Sequence, residues 1–214
     1  MALNKEQIKK LYRKRALNYD LTANLYYVIG FREHKYRQES VAMLNLRQGE
    51  TVLEIGCGTG LNFPILLQHI DKSGKVIGID LTDKMLKRAE DRIRKIKWNN
   101  FKLINIDASE YVFNDKVNAV ISTFALTMIP EYEKIIKNIS SALEPGSRFV
   151  VCDFKKHEQY PDWLINFGVF ITKPFGVLLD LADRKPWKYM KEYFSKVEVK
   201  EIFGGFAYIA VGIV

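Results

Sequence analysis

Cysteine is scarce in this sequence: only Cys57 and Cys152 are present, and they lie in separate motifs without the spacing of a metal site. Because disulfides are rare in reducing compartments, this usage favours the cytoplasm. Long apolar runs are absent as well. The longest, residues 163–172, stops at Lys173 and Pro174 and is shorter than the ~20 residues of a transmembrane helix. No apolar stretch follows the first charges, so we expect no secretory signal. These absences predict a cytoplasmic protein that does not span a membrane.

Acidic residues are outnumbered. The sequence has 25 acidic and 33 basic residues, a formal net charge of +8 and an isoelectric point near 9.3. A basic balance of this size suggests an anionic partner, which is a nucleic acid, a membrane surface or an acidic ligand. The alternative is a basic surface that serves only solubility. With 48% apolar residues in a chain of 214, the composition predicts one domain with a buried core.

Short apolar segments alternate with helical patterns along the middle of the chain. The predicted strands are residues 51–56, 75–80, 102–107, 117–125 and 149–154, and the helices between them are residues 62–70, 83–96 and 131–143. Two further helices are predicted earlier, at residues 5–19 and 34–46. This alternation predicts right-handed crossovers and a parallel sheet covered on both faces. Near the end, two strand patterns flank the turn FGGF and predict an antiparallel hairpin.

The stretch TVLEIGCGTG places Gly56, Gly58 and Gly60 directly behind the first predicted strand. Glycine there permits a tight turn or the close approach of a ligand. The dinucleotide fingerprint is G-x-G-x-x-G, whereas the spacing here is G-x-G-x-G, and Glu54 stands two residues before the first glycine. A buried carboxylate disfavours a pyrophosphate and favours a ligand with an ammonium group. A tight strand-to-helix turn without a ligand is the alternative.

Two further acids end the second and third predicted strands. Asp80 can accept hydrogen bonds from both hydroxyls of a ribose. Asp107, next to Ala108, can meet the exocyclic amine of an adenine. Taken singly, Asp80 is compatible with a helix cap and Asp107 with a turn. Acids at the ends of three successive strands together favour a nucleoside site.

The segments VLEIGCGTG, VIGIDLTDKML, INIDA and LEPGSRFVV resemble, in order and spacing, the motifs of class I S-adenosylmethionine-dependent methyltransferases. The resemblance covers about residues 50–153 and implies that S-adenosylmethionine is the cofactor. It also implies a doubly wound α/β fold with a mostly parallel seven-stranded sheet and a C-terminal antiparallel hairpin. The sequence departs from the family at Asn118, where many members have Asp before the fourth strand.

The resemblance also implies roles for individual residues. Glu54 and the three glycines line the methionine end of the cofactor, Asp80 holds the ribose, and Asp107 and Ala108 meet the adenine edge. The expected cofactor-binding residues are Tyr19, Arg37, Glu54, Gly56, Cys57, Gly58, Thr59, Gly60, Asp80, Leu81, Met85, Asp107, Ala108 and Thr123.

The N-terminal segment YDLTANLYY, residues 19–27, looks like the Y-D-x-x-A-x-x-Y element of the quinone-biosynthesis methyltransferases. In that group the segment folds over the cofactor as a lid. The likeness places Tyr19 beside the cofactor and makes it a candidate catalytic residue, with a core aromatic as the alternative. Arg37 is assigned to the cofactor carboxylate. The expected organisation is one domain with a helical lid (1–48), a cofactor core (49–154) and a substrate-side insert with the hairpin (155–214).

Methyl transfer is an in-line displacement at a sulfonium, so the protein supplies alignment and exclusion of water, and a conspicuous catalytic triad is not expected. Asp153, His157 and Tyr160 follow the fifth strand, where family members place substrate groups. Asp153 is the second candidate catalytic residue. The alternative for each of the three is a surface or capping role.

Two segments bear on the substrate. The first helix has a basic side formed by Lys5, Lys9, Lys10, Arg13 and Lys14, and the insert at residues 163–179 is rich in large apolar side chains. A basic amphipathic helix can lie on an anionic bilayer. An ordinary solvated helix and a helical cover for the sheet are the alternatives.

The segment STFALTMIPEY is similar to the one after strand four in phospholipid and betaine-lipid N-methyltransferases. No Asn-Pro-Pro-Tyr loop is present, which argues against a nucleic-acid substrate. We therefore expect an N-methyltransferase that acts on a lipid or lipophilic small molecule, such as a phospholipid amine headgroup, with peripheral contact to an anionic membrane. The alternatives are a methyltransferase for a soluble metabolite or RNA, and a catalytically silent cofactor-binding module.

Overall fold

The computed structural model describes residues 5–17, 19, 27, 30–156 and 184–214. Within these ranges the strands are β1 (Thr51–Ile55), β2 (Lys75–Asp80), β3 (Phe101–Asn105), β4 (Ala119–Thr123), β5 (Arg148–Phe154), β6 (Lys196–Ile202) and β7 (Ala207–Ile213). The α-helices are α1 (Lys5–Arg15), α2 (Glu33–Met43), α3 (Phe63–Ile70), α4 (Asp83–Lys95), α5 (Tyr132–Ala142) and α6 (Pro186–Tyr193).

The strands form one sheet in the order β3-β2-β1-β4-β5-β7-β6. Strands β1 to β5 pair in parallel, and β7 runs antiparallel to both β5 and β6. The predicted seven-stranded, mostly parallel sheet with a C-terminal antiparallel hairpin is therefore confirmed. The FGGF link is a 3-10 turn, Phe203–Gly205, in which Gly204 takes a positive φ of 60°.

Helices cover both faces of the sheet. On one face α2, α3 and α4 bury Val41, Phe63 and Ile93, and on the other α5 and α6 bury Ile136 and Met190. The central strands are apolar on both sides: all but the first residue of β1 and every residue of β4 are buried. A strand that is buried on both faces reads as a continuous apolar run, which is why these strands could be recognised in the sequence.

The middle of the sheet positions the site. β1 lies between β2 and β4, so the chain leaves β1 toward one edge and later returns on its other side. The carboxyl ends of such neighbouring strands leave a crevice between their connections, where ligands bind in open α/β sheets. The acids and glycines singled out in the sequence lie within the last residues of β1 and β2 or just after β1 and β3, and therefore lie along this crevice.

The helix ends differ from those expected. The first helix ends at Arg15 rather than at residue 19, with a turn at Ala16 and Leu17. The second runs from Glu33 to Met43, and Asn45 just beyond it takes a positive φ of 54°, a backbone conformation that ends helices. Apolar spacing shows which residues share a helix face but not where the chain turns away.

Asn118, the departure from the family pattern, has a structural contact. Its Oδ1 accepts a hydrogen bond from the backbone N–H of Thr51 at 2.8 Å, which ties the chain before β4 to the start of β1. The predicted apolar insert at residues 163–179 lies outside the described residues. No helix within the described ranges is long and apolar enough to cross a bilayer.

Candidate cofactor site

The three glycines after β1 all take positive φ angles, of 65° at Gly56, 54° at Gly58 and 74° at Gly60. At Gly56 an added Cβ would lie 2.4 Å from Cβ of Ala125, so the loops after β1 and β4 pass in contact only because no side chain separates them. At Gly58 an added Cβ would meet nothing within 4 Å, because that side of the backbone faces open space. The turn is thus tight on one side and exposed to a cavity on the other.

This cavity extends along the carboxyl ends of the central strands, and its empty space, including the part open to solvent, is about 900 Å³. Most of the cofactor-binding residues predicted from the sequence line it: Tyr19, Arg37, Gly56, Cys57, Gly58, Thr59, Asp80, Leu81, Met85, Asp107, Ala108 and Thr123. Glu54 and Gly60 lie behind this lining. Gly60 packs against the ring of Phe63, where an added Cβ would come within 2.6 Å.

At the methionine end of the predicted site, a buried polar network connects β1, β4, α2 and the turn before α3. Nδ2 of Asn62 donates to Oε1 of Glu54 at 2.7 Å and to Oγ1 of Thr123 at 2.9 Å. The guanidinium of Arg37 donates to the same Thr123 hydroxyl at 2.5 Å and to Oε1 of Glu33 at 2.6 Å. The network fixes Arg37 at the cavity wall with its charge already paired.

One carboxylate oxygen of this network is unpartnered among the described residues. Oε2 of Glu54 is buried and has no hydrogen-bond partner among the described residues. Burial raises the pKa of Glu54 to about 8, although Arg37 and Asn62 oppose that rise. A buried acceptor without a donor is costly, so this oxygen is suited to a cationic donor that enters from the cavity. An ammonium group is such a donor, as the sequence predicted for this position.

At the centre of the crevice, the Asp80 carboxylate is held by backbone groups. Oδ2 accepts from the N–H of Gly58 at 2.9 Å, and Oδ1 accepts from the N–H of Thr82 at 2.8 Å. Each carboxylate oxygen has further acceptor capacity, so the side chain can still receive donors from the cavity. Burial raises the pKa of Asp80 against the effect of these hydrogen bonds.

At the far end of the cavity, Asp107 begins the 3-10 turn Ala108–Glu110. Its Oδ1 accepts from the backbone N–H and the hydroxyl of Ser109, at 2.8 Å and 2.7 Å. Its Oδ2 forms an ion pair of 2.7 Å with Nζ of Lys5, which comes from α1. The predicted adenine acid is therefore in the cavity but already has a cationic neighbour, which the sequence did not indicate.

Helix α1 supplies one wall of the cavity through Lys5, Ile8 and Tyr12. The Tyr12 hydroxyl donates to the sulfur of Met128 at 2.8 Å, and its ring lies 6.3 Å from that of Tyr19 between centroids. The helical spacing of Ile8 and Tyr12 was visible in the sequence, but Lys5 was placed on the other side, and the pattern did not show what the apolar face covers. The rest of the predicted lid element, residues 20–26, lies outside the described residues.

The basic side predicted for α1 needs correction at Lys5, whereas Arg13 lies on that side and is paired. Lys5 faces the cavity and the acids around it, and Nη2 of Arg13 pairs with Oδ2 of Asp83 at 3.2 Å. Lys9, Lys10 and Lys14 remain on the outer side, where Lys84 of α4 lies beside them along the same groove. We refer to these four lysines as the outer basic surface.

The segment after β4 forms another wall of the cavity, with Phe124, Ala125, Met128, Ile129 and Pro130. Phe124 takes a φ of 56°, which is unusual for a bulky residue and marks local strain of a kind that concentrates at functional sites. Its ring packs on Phe31 and Phe154, and the guanidinium carbon of Arg37 lies 5.1 Å from the ring centroid. This wall is predominantly apolar.

Asp153, a predicted catalytic residue, is only 2% exposed and does not line the cavity. Its Oδ2 accepts from the N–H of Thr127 at 3.0 Å, and its Oδ1 accepts from the N–H of Phe154 at 2.9 Å. Thr127 belongs to the 3-10 turn Leu126–Met128 of the apolar wall. Through its contact with Thr127, Asp153 anchors that wall to β5. His157 and Tyr160, the other two candidates, lie outside the described residues.

Comparison with known proteins agrees with this geometry. The model of the ubiE/COQ5 methyltransferase family matches residues 1–201. The demethylmenaquinone methyltransferase of Listeria monocytogenes serotype 4b (strain CLIP80459) is 27% identical over 207 residues, which are 96% of this chain and 84% of that protein. The protein of the same name from Staphylococcus carnosus (strain TM300) is 27% identical over 230 residues, covering 97% and 93%.

Two solved structures are similar in fold. A SAM-dependent methyltransferase from Aquifex aeolicus has a TM-score of 0.58 at 19% identity, over 83% of this chain and 89% of that one. The Haemonchus contortus phosphoethanolamine N-methyltransferase 2 in complex with S-adenosyl-L-methionine has a TM-score of 0.61 at 21% identity, over 78% and 39%. At these identities the likeness concerns the fold alone.

The unpartnered Glu54 oxygen and the open side of Gly58 also fit S-adenosylmethionine, which brings an ammonium group and must approach the backbone closely. The match over residues 1–201 is the decisive observation. The chain belongs to the ubiE/COQ5 methyltransferase family and is an S-adenosylmethionine-dependent methyltransferase.

Proposed function

We propose that this enzyme transfers a methyl group to a lipophilic acceptor of the kind named for its relatives, a demethylated isoprenoid quinone in its reduced form. The observation that carries the proposal is the match to demethylmenaquinone methyltransferases over 96% and 97% of this chain. The apolar wall formed by Phe124, Met128 and Ile129 supports it, because an apolar acceptor gains free energy from contact with such a surface.

In this proposal the cofactor lies along the crevice with its three parts on three sets of residues. Glu54 receives the ammonium group, and Arg37 meets the carboxylate. The hydroxyls of the ribose donate to Asp80, and the exocyclic amine of adenine donates to Asp107. Leu81 and Met85 pack against the base. The support is the order of these residues along the strand ends, since β1, β2 and β3 are adjacent in that order.

The methyl group comes from the sulfonium of the bound cofactor, and the chain contributes alignment and exclusion of water. Tyr12 and Tyr19 cover the cavity from the N-terminal side. Burial, and next the nearby Glu33 carboxylate, raise the pKa of Tyr19 to about 12, so its hydroxyl stays protonated and can donate a hydrogen bond at neutral pH. Asp153 acts at a distance, by holding Thr127 and hence the apolar wall.

A phospholipid amine headgroup is the second candidate acceptor, with transfer to nitrogen. It is favoured by the likeness of STFALTMIPEY to the segment after strand four in lipid N-methyltransferases, because residues 123–130 of that segment contribute several cavity-lining side chains. An amine nucleophile needs only a free electron pair, whereas a ring carbon needs the electrons of a deprotonated neighbouring hydroxyl. The two acceptors therefore place different demands on the acceptor side of the site.

Both acceptors are found in membranes, and we place the outer basic surface against an anionic bilayer. Lys9, Lys10, Lys14 and Lys84 lie together on the side of α1 that faces away from the cavity. In this orientation the cavity-facing side of α1 remains over the cofactor while the opposite side contacts lipid. Contact of this kind is peripheral and reversible.

The test is the identity of the labelled product. The protein is incubated with S-adenosylmethionine labelled in its methyl group and, in parallel, with reduced demethylmenaquinone in detergent, phosphatidylethanolamine vesicles, RNA and polar metabolites. We expect label in the quinone fraction, and none when Asp80→Ala replaces the wild type. Label in phosphatidylethanolamine alone would establish the second candidate.

The remaining outcomes contradict both candidates. Label confined to RNA or to a polar metabolite would show that the acceptor is not lipophilic. Retained S-adenosylmethionine binding without label in any fraction, including total lipid extract, would indicate a catalytically silent cofactor-binding module.

A further inference from the structure

Lys5 bridges two carboxylates at the end of the cavity that we assign to adenine. Its Nζ lies 2.7 Å from Oδ2 of Asp107 and 2.7 Å from Oε1 of Glu131. The Asp107 side chain is 11% exposed, and the Lys5 side chain 35%. These three charged groups come from the first turn of α1, the end of β3 and the residue before α5, so the contact joins distant parts of the chain.

The two oxygens of Asp107 have different surroundings. Oδ1 accepts two hydrogen bonds from Ser109, whereas Oδ2 has the Lys5 ammonium. The hydrogen bonds and the positive charge lower the pKa of Asp107 although burial opposes them. The same contacts raise the pKa of Lys5. Both groups are therefore ionised over the neutral range.

Adenine creates an electrostatic difficulty at such a site. Its exocyclic amine is an uncharged donor, and the base that carries it also displaces water from the carboxylate that it meets. A carboxylate that loses water without gaining a cation is strongly disfavoured. The charged groups of S-adenosylmethionine are at the other end of the molecule, so the ligand supplies no cation here.

We infer that Lys5 is the positioning residue that keeps Asp107 charged and oriented to accept the exocyclic amine of adenine. The ammonium contacts Oδ2 from the side of α1 and lines the cavity itself, so it stays beside the carboxylate when the base covers it. This inference rests on the proposed assignment of Asp107 to adenine. The inference also assigns the first turn of α1 a role in recognising the cofactor, in addition to covering the cavity.

The charged surroundings of Asp107 determine how the role can be tested. Lys5 faces it from α1 and Glu131 from the start of α5, and Asp80 lies at the end of the neighbouring strand. Without Lys5, two acids remain near Asp107, and within the described ranges no other cation forms an ion pair with it. Burial of Asp107 under adenine then favours its protonated form, so cofactor binding becomes coupled to proton uptake.

The experiment is calorimetric titration of S-adenosylhomocysteine into the wild type and into Lys5→Met, Lys5→Arg and Asp107→Asn. Lys9→Met, on the other side of the same helix, is the matched control. We expect Lys5→Met and Asp107→Asn each to weaken binding about tenfold or more, because each removes a charge-assisted interaction. Lys5→Arg should restore most of the affinity, and Lys9→Met should change it little.

One further readout separates positioning from packing. The loss caused by Lys5→Met should narrow as the pH falls from about 8 to about 5, because protonation removes the unpaired charge. Thermal unfolding of each variant without ligand establishes that it is folded.

The possible failures are distinguishable. If Asp107→Asn binds as tightly as the wild type, the assignment of Asp107 to adenine is wrong. If Asp107→Asn weakens binding while Lys5→Met does not, Lys5 has no positioning role. A loss for Lys5→Met that is the same at every pH from about 5 to about 8 would also overturn the inference, because it would show that Lys5 serves only to pack α1.

Discussion

The backbone N–H of Gly58 donates a hydrogen bond to Oδ2 of Asp80 at 2.9 Å and so joins the turn after β1 to the end of β2. The same carboxylate that we assign to the ribose thus also fixes the glycine turn. Thr82 holds its other oxygen from the start of α4. Under this assignment, cofactor binding and local folding depend on one side chain, and a substitution at Asp80 should act on both.

Asp80→Ala should lose most of the affinity for S-adenosylmethionine. Hydrogen bonds to an ionised group contribute roughly 1.5–3 kcal/mol. The variant should also unfold more easily, because the N–H groups of Gly58 and Thr82 lose their acceptor. Calorimetry and thermal unfolding measure the two effects, with Asp91→Asn on the exposed side of α4 as the control. Unchanged affinity in Asp80→Ala would remove Asp80 from the ribose role, and tight NAD binding by the wild type would contradict the cofactor assignment.

Glu54 should make cofactor binding depend on pH. Burial raises its pKa to about 8, so the carboxyl is mostly protonated near neutral pH in the absence of a cationic ligand. An ammonium group that enters beside Oε2 favours the ionised form and expels the proton. Affinity should therefore rise by up to about tenfold per pH unit between about pH 5.5 and 7.5.

Calorimetry in buffers of different ionisation enthalpy measures the protons released on binding. Glu54→Gln cannot ionise and should bind more weakly with a shallower pH dependence, whereas Glu144→Gln, an exposed control, should behave as the wild type. Proton release that is equal in the wild type and in Glu54→Gln would show that Glu54 does not meet the ammonium group.

Asp153 should affect stability in a pH-dependent manner. Burial raises its pKa to about 6 from an ordinary value of 3.8. Since the folded state holds the proton more tightly, the contribution of this group to stability is full below about pH 3.8 and is lost as the pH rises through 6. The difference in pKa corresponds to about 3 kcal/mol.

Asp153→Asn cannot titrate, so its free energy of unfolding should lack this decline. The stability of the wild type relative to the variant should fall as the pH rises from about 4 to 7, as measured by urea denaturation. Parallel pH profiles for the two proteins would show that Asp153 is not the titrating group. At a fixed pH the variant should retain cofactor binding, because Asp153 anchors the wall after β4 and does not line the cavity.

The sequence predicted the parts of the site that depend on short-range order. Glu54, Asp80 and Asp107 could be placed because strand ends are visible as apolar runs, and adjacent parallel strands bring their ends together. The three glycines were recognisable because closely spaced glycines after a strand indicate a tight turn with positive φ angles, which glycine adopts readily. These residues lie where the sequence pattern placed them, and their roles toward the cofactor stay predictions.

The contributions that were missed arise from tertiary packing. Lys5 had the same local signature as Lys9, and only the packing of α1 against the cavity turns one toward Asp107 and leaves the other outside. Asp153 had the sequence position of a substrate residue, but its contacts are with the backbone of Thr127 and Phe154. Phe124 has a left-handed backbone conformation, which the sequence could not predict because bulky residues rarely adopt it.

Tyr19 should matter more for turnover than for stability. It lines the cavity, and its ring lies near that of Tyr12, so Tyr19→Phe preserves the aromatic packing while it removes one hydroxyl. We expect a fall in kcat/KM of at least about tenfold, as for loss of a hydrogen bond made at the reacting centre, with little change in Tm. Tyr27→Phe, at an exposed position, is the matched control. If activity and Tm fall together, Tyr19 is a structural aromatic.

The outer basic surface should bind anionic lipid. Lys10, Lys14 and Lys84 are exposed, and Lys9 is half-buried beside them. Each basic residue near an anionic surface contributes about 1 kcal/mol, so four give reversible attachment without a spanning segment. Binding to phosphatidylglycerol vesicles should weaken as salt is added, because the screening length falls to ~3 Å at 1 M. Sedimentation with vesicles measures both effects.

The decisive variant reverses Lys9, Lys10 and Lys14 to Glu and leaves Arg13 intact, since Arg13 pairs with Asp83 and its loss would disturb the packing of α1. This triple variant should stay in the supernatant at low salt. Reversal of Lys134, Lys137 and Lys191, which are exposed on α5 and α6, changes the net charge by the same amount and should leave binding nearly intact. Equal loss in both triple variants would show that total charge, and not this surface, attracts the protein. Absence of wild-type binding at low salt would make these lysines an ordinary solvated helix face.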